Sequence, residues 1–187
     1  MGIEKPFQKV KLFSGFIYRD EPVYHHIKTK LESIYSIAEL ESEPFHFEFT
    51  DYYHQEMGAP LYRRFVAFQS LIDPEELPDI KLLTNEIERE TAQNGKRTIN
   101  LDPGFLSEAN VIIATTKNYY HRVPLTRGIY AHMEYVIIGK SLKTLDWTYP
   151  DFKSPGYMDF FYRLNTVYKK NLKEMRQHAD EIRTPGA

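Results

Sequence analysis

In four short stretches of this chain, residue types and spacing could support chemistry. In Asn100-Leu101-Asp102-Pro103-Gly104, an amide and a carboxylate two residues apart on a strand point to one face. Pro-Gly is expected to turn the chain immediately afterwards. Such a pair at a strand mouth could orient a substrate or hold a hard cation. The competing role for Asp102 is an Asx-type turn that bonds the backbone around Gly104. The second stretch, Thr115-Thr116-Lys117 followed by His121-Arg122, leaves an apolar strand. It offers hydroxyls, an amine, an imidazole and a guanidinium, the groups that grip phosphate or carboxylate. His121 adds acid–base capacity near neutrality. The plain alternative is a set of loop charges that pair with acidic residues elsewhere.

The third stretch is Tyr130-Ala131-His132-Met133-Glu134. Alternation puts Tyr130, His132 and Glu134 on one face, and Ala131, Met133 and Tyr135 on the other. A His-x-Glu pair could couple a base to its orienting carboxylate, or ligate a metal together with His46, Glu48 or His54. It is equally at home on a solvated strand face. No HExxH or clustered His motif is present, so no metal is expected. The fourth stretch, Trp147-Thr148-Tyr149-Pro150-Asp151-Phe152, sets large aromatics against a proline and reads as core or lid. Asp151 either caps the last helix or belongs to the site.

These readings assign proton transfer to Asp102, His121, His132 or Glu134. Ligand binding falls to Asn100, Thr115, Thr116, Lys117, Arg122 and Tyr130, with Lys117 and Arg122 as the anion clamp. Asn100, Thr115, His132 and Glu134 should then converge on one cavity.

The elements that must position these residues follow from periodicity. Leu12–Tyr18 reads as a strand, His25–Ile37 as a helix, and Phe45–Thr50, with alternating Phe, as a half-buried strand. Arg64–Leu71 is the next strand. Asp73-Pro74-Glu75-Glu76 signals a helix start, and that helix reaches Ala92 before Asn94-Gly95 closes it. Arg97–Leu101 completes a β-α-β-β-α-β unit of the ferredoxin-like kind. Val111–Thr116, Tyr130–Ile138 and Leu142–Trp147 add antiparallel strands, Tyr157–Met175 forms a long amphipathic helix, and the tail Arg183–Ala187 should fray. The fold class is α+β in one domain over 1–187, with a ferredoxin-like unit over 1–105 and a strand extension with the C-terminal helix over 106–180. Its sheet should keep a polar face holding Glu48, Arg63 or Arg64, Asn100, Thr115, His132 and Glu134.

With 187 residues, 42% of them hydrophobic, and no long apolar run, the chain can bury a core and does not read as a membrane protein. The absence of Cys removes disulfides, thiolate metal sites and a Cys nucleophile together. Without a signal-peptide pattern, the expected location is the cytoplasm. The net charge of −2 hides an acidic first half and a mildly basic second half. That is too little positive charge for generic DNA binding, yet enough for a small anion.

From residue 97 onward, five motifs occur in one order. They are Arg97-Thr98-Ile99-Asn100-Leu101-Asp102-Pro103-Gly104, Ala114-Thr115-Thr116-Lys117, His121-Arg122, Gly128-Ile129-Tyr130-Ala131 and Trp147–Phe152. Together with Phe13–Tyr18 and Phe45–Tyr53, they resemble the uncharacterised prokaryotic family called domain of unknown function 4416. The resemblance spans nearly the whole chain and implies no established activity. Some relatives carry the label "GTP-binding protein", which the residues here do not support. Gly139-Lys140-Ser141 has Glu134 where a P-loop needs its first Gly, and Gly95-Lys96 is followed by Arg97. Thr116-Lys117 lacks the Asp of a guanine-reading motif, because Tyr119 stands there.

The function expected from these features is that of a small-molecule enzyme or ligand-binding protein. Its ligand would be anionic, phosphorylated or a nucleotide, in a Tyr-walled pocket. No cofactor or oligomeric state is legible. The alternative is a non-catalytic RNA-binding or protein-interaction module. Arg64-Phe65-Val66-Ala67-Phe68 overlaps the end of an RNA-recognition strand signature, but half of that signature is absent.

Overall fold

Strand β1, Val10–Tyr18, is buried along its whole length, because helices cover both faces of the sheet at this point. Leu12, Phe16 and Tyr18 meet the first helix layer, while Phe13 faces the C-terminal helix. The computed structural model describes residues 2–50 and 52–183. Helix α1 (Glu21–Ile34) starts on Glu21-Pro22, an acid and a proline suited to a first turn, and buries Tyr24, Ile27 and Leu31. Strands β2 (Ala38–Glu41) and β3 (Phe45–His46), helix α2 (His54–Met57) and strand β4 (Tyr62–Ile72) follow. A short 3₁₀ turn, Pro74–Glu76, opens helix α3 (Leu77–Glu90), and the Glu76 carboxylate accepts the Asp73 N–H at 2.8 Å. Strands β5 (Ile99–Leu106), β6 (Asn110–Thr115), β7 (Val123–Thr126), β8 (Ile129–Ile138) and β9 (Ser141–Thr144) precede helix α4 (Pro155–Arg183).

The strands form one open antiparallel sheet in the order β2-β4-β1-β5-β6-β8-β7, with β3 paired to β4 and β9 to β8. Strands β1, β2, β4 and β5 with α1 and α3 make a β-α-β-β-α-β core, to which the later strands and α4 are added. Helices α1 and α3 cover one face through Ile27, Leu31, Leu77, Ile80 and Ile87. Helix α4 covers the other with Tyr157, Phe160, Phe161, Leu164 and Tyr168, packed on Phe13, Phe65 and Tyr135. The fold is α+β in three layers.

Four differences from the sequence reading have physical causes. The second strand of the core is β2, at Ala38–Glu41, between the expected helix, which ends at Ile34 rather than Ile37, and the Phe-rich stretch expected to be that strand. The Phe-rich stretch pairs only at Phe45–His46. Phe47 leaves the sheet to pack with Met57, Leu61 and Tyr53 in a small separate cluster. Pro103-Gly104 does not turn the chain: β5 runs on to Leu106, with Pro103 opposite Ser14 and Gly104 between Phe13 and Ile113. Gly104 is there for space, since a Cβ would press into the Ile112 carbonyl oxygen and lie 2.7 Å from the Phe13 ring. Alternation along β8 breaks where Ile112 pairs with Met133 but Val111 with Tyr135, which leaves Glu134 as the extra residue of a bulge. Tyr135 thereby joins His132 on the α4 face. The sheet face expected to be polar is largely apolar beneath α4, although Lys11 is buried and pairs with Glu39, which also accepts from Asn171 of α4. Of the tail expected to fray, Arg183–Ala187, Arg183 is the last residue of α4 and 184–187 lie outside the described residues.

Candidate functional site

Where β5 and β6 stop pairing, the sheet opens. Extending the register beyond Gly104↔Ile113 would put Asp102 opposite Thr115, but the pairing ends at that step. Pro103 has no N–H to continue a ladder, which suits the parting of the strands here. The opening holds a cavity of about 430 Å³, within the size range of small-molecule sites. Phe47, Phe49, Tyr52 and Tyr53 from the segment after β3 and Tyr149 from the segment before α4 supply aromatic surface. Arg63, Asp102, Thr115, Lys117 and Asp151 supply the polar groups.

Arg63 lies at the inner end, with its side chain 5% exposed. Its Nη1 donates to Asp102 Oδ2 at 2.8 Å, and Nη2 lies 3.6 Å from Asp151 Oδ2. The close approach needs Gly15, because a Cβ there would sit 2.5 Å from Nη1. Burial alone would raise the Asp102 carboxyl, but Arg63 and Lys81 outweigh it and hold the group below the usual carboxylate range. Asp151 shifts the other way, because burial exceeds the pull of its more distant Arg63 contact. The two carboxyls flanking one guanidinium therefore differ in proton affinity. Lys117 stands at the exposed rim, with its ammonium 4.2 Å from the centre of the Tyr52 ring.

Behind Tyr149 lies a second cluster. The His132 ring stacks on Tyr149 at 4.6 Å, and His121 stacks on Trp147 at 5.1 Å. Arg122 Nε donates to His132 Nδ1 at 3.2 Å, and His121 Nε2 lies 3.0 Å from the same atom. An arginine can only donate, so Nδ1 accepts and neutral His132 carries its proton on Nε2. Nε2 is 3.2 Å from Glu134 Oε1, without hydrogen-bond alignment. Burial holds His132 down to about 4, with Arg122 adding to the shift. Burial also pushes Glu134 well above the carboxylate range, although the Tyr149 N–H donates to its Oε2 at 3.1 Å. Burial thus favours the uncharged form of both groups. The Trp-Thr-Tyr stretch clamps the bulge: Trp147 Nε1 donates to Met133 O at 3.0 Å and Thr148 Oγ1 to Glu134 O at 2.6 Å.

Among the residues expected at a site, Asp102, Thr115 and Lys117 line the cavity. His121, Arg122, His132 and Glu134 meet each other in the cluster behind Tyr149, and none of them lines the cavity. Arg122 does not stand with Lys117 as a clamp, because Nε, Nη1 and Nη2 are bound to His132, the Lys117 carbonyl and the Tyr149 hydroxyl. Asn100 shares the Asp102 face but is buried, with its Oδ1 accepting from Arg97 at 3.0 Å. Thr116 is exposed, and Tyr130, opposite Thr115 on β8, is half-buried outside the cavity lining. Asp102 bonds Arg63 rather than closing an Asx-type turn. Among the described residues, no three His, Asp or Glu are grouped to hold a metal ion. Phe65 and Phe68 are buried beneath helices, so β4 presents neither ring to a nucleobase.

Tyr walls match the expected Tyr-walled pocket, but the sequence reading does not single out Tyr52, Tyr53 and Tyr149 for them or decide between Arg63 and Arg64. The usable signal for Arg63 was a lone odd-numbered cation in register with Phe65 and Ala67, all on one face of an apolar strand. Fold and cavity together define a three-layer α+β protein with an aromatic-walled pocket at a break in its sheet. A family model described as a domain of unknown function (DUF4416) matches residues 8–168, and the chain belongs to that family. No curated protein and no solved structure matches the chain.

Proposed function

We propose that this protein binds a small anionic molecule, phosphorylated or carboxylated, in the cavity where β5 and β6 part, either as the substrate of an enzyme or as a ligand. The observation that carries this reading is the single cavity that combines five aromatic rings, a rim cation at Lys117 and the buried Arg63–Asp102–Asp151 group. Lys117 takes the anion, and the rings enclose the body of the molecule. Asp102, which Arg63 and Lys81 hold below the usual carboxylate range, and Asp151 are the carboxyl groups that face the bound molecule. His121, Arg122, His132 and Glu134 act indirectly by fixing Tyr149. The core strand order is that of the ferredoxin-like arrangement, and we assign the core to that class.

The test is calorimetric titration of the full chain with inorganic phosphate and with small aromatic phosphates and carboxylates. An aromatic anion should bind more tightly than phosphate, and Lys117→Ala should weaken it about tenfold, the loss of one charge-assisted contact. Absence of binding by every anion, or binding indifferent to Lys117→Ala and Tyr149→Ala alike, removes the cavity as the site.

A further inference from the structure

We infer that the ligand of this cavity is a flat heterocycle whose inner edge donates N–H hydrogen bonds, with its anionic substituent on the opposite side. This rests on the reading of the cavity given above and concerns the end of the ligand away from Lys117. The inner end cannot serve as a second anion site. Among the described residues, Arg63 is the cation that lines that end, and Asp102 occupies Nη1 while Asp151 stands 3.6 Å from Nη2. Two carboxyl groups against one guanidinium make that end rich in acceptors. Arg63 engages Asp102 through Oδ2, and the Asp102 side chain keeps 21% of its surface exposed where it lines the cavity. A ligand group that reaches this carboxylate must offer donors, because an acceptor would face it without a proton to share.

Polarity thus runs along the cavity from acceptors inside to a cation at the rim. The surface between is aromatic, from Phe47, Tyr53 and Tyr149. Faces of that kind favour a flat π system over a flexible chain. A ring bearing an amino group beside a ring N–H presents two donors in one plane, which is the geometry that a carboxylate accepts. An anion on the far side of the same ring reaches Lys117.

Two bicyclic carboxylates of similar shape separate this inference from the broader one. Pterin-6-carboxylate carries an amino group and a ring N–H on the edge away from its carboxylate, whereas 2-naphthoate carries no N–H. By calorimetry, the wild-type chain should bind the pterin at least tenfold more tightly. Asp102→Asn should abolish that preference. Lys117→Ala should weaken both probes by a similar factor. Circular dichroism and urea midpoints establish that each variant folds. If Asp102→Asn does not fold, Asp151→Asn carries the same comparison. Equal affinity of the two probes, or a preference that survives loss of the carboxylate, overturns the donor-edge inference. The anion reading stands in that case if Lys117→Ala still weakens both. Failure of both probes and of inorganic phosphate to bind overturns the two together.

Discussion

Replacing Arg63 by Met tests the electrostatic construction of the cavity most directly. The Arg63 side chain is 5% exposed, and its carboxyl neighbours Asp102 and Asp151 keep only 21% and 7% of their side-chain surface. Methionine fills much of the same space but leaves both acids without their shared counter-charge. Removing one partner from a buried ion pair costs about 3–5 kcal/mol. At a urea slope of about 2 kcal/mol/M, the midpoint should fall by about 2 M at neutral pH. The loss should also depend on pH, with a definite sign. In the wild type, Asp102 lies below the ordinary carboxylate range, so its contribution is present above about pH 4 and disappears only as pH falls through the folded value. Without Arg63, burial is opposed chiefly by Lys81, and the folded value rises above the unfolded one. The folded variant then keeps a proton that the unfolded chain releases, so its stability declines as pH rises. Urea titrations at pH 4.5 and pH 8 should show a defect at least 1 kcal/mol larger at pH 8. Adding Asp102→Asn to Arg63→Met should restore part of the loss, and the double-mutant cycle should give a coupling above about 1 kcal/mol. A defect below 1 kcal/mol, or one of equal size at both pH values, would refute the idea that Arg63 holds two buried acids.

Two further outcomes follow from the same structure. His132 is neutral when folded down to about pH 4, against 6.5 for the free side chain, so stability should fall as pH drops between those values. The linkage is worth about 3 kcal/mol at most, and His132→Gln should flatten this part of a urea-midpoint profile. Gly104→Ala should cost about 3 kcal/mol or more, because its Cβ would meet the Ile112 backbone and the Phe13 ring at once. A variant within 1 kcal/mol of wild type in urea would mean that β5 and β6 can separate further without loss.

Element order was largely legible because apolar periodicity survives in sequence, as in Ile80, Leu83 and Ile87 of α3 or Phe160, Phe161 and Leu164 of α4. The shared face of Asn100 and Asp102 was legible for the same reason. What the sequence concealed were interruptions of a period. Pro103-Gly104 has the composition of a turn, yet here the proline ends a ladder on one side and the glycine admits a neighbouring backbone. A bulge leaves no trace in residue type, so Glu134 and Tyr135 could not be assigned to one face in advance. The partners of Arg122 are set by the long-range return of Tyr149 to β8, 27 residues further on, and no local pattern announces them. Arg63 and Asp102 are 39 residues apart and meet only through β1, which lies between β4 and β5.

The covering of β4 and β1 by α4 has a consequence for how the chain is made. Phe13 and Phe65 emerge early in synthesis, yet the partners that bury them include Tyr157, Phe160 and Phe161. At about 5–20 residues per second, the interval from Leu106, the end of β5, to Phe161 lasts roughly 3–11 s. Through that interval the nascent β-α-β-β-α-β core has one face finished and the other bare. Such a half-covered sheet is a substrate for chaperones, and a translational pause placed before residue 155 would prolong its exposure. Residues 1–106 expressed alone would meet the same condition permanently, and the fragment would aggregate although its strands and both of its long helices are complete.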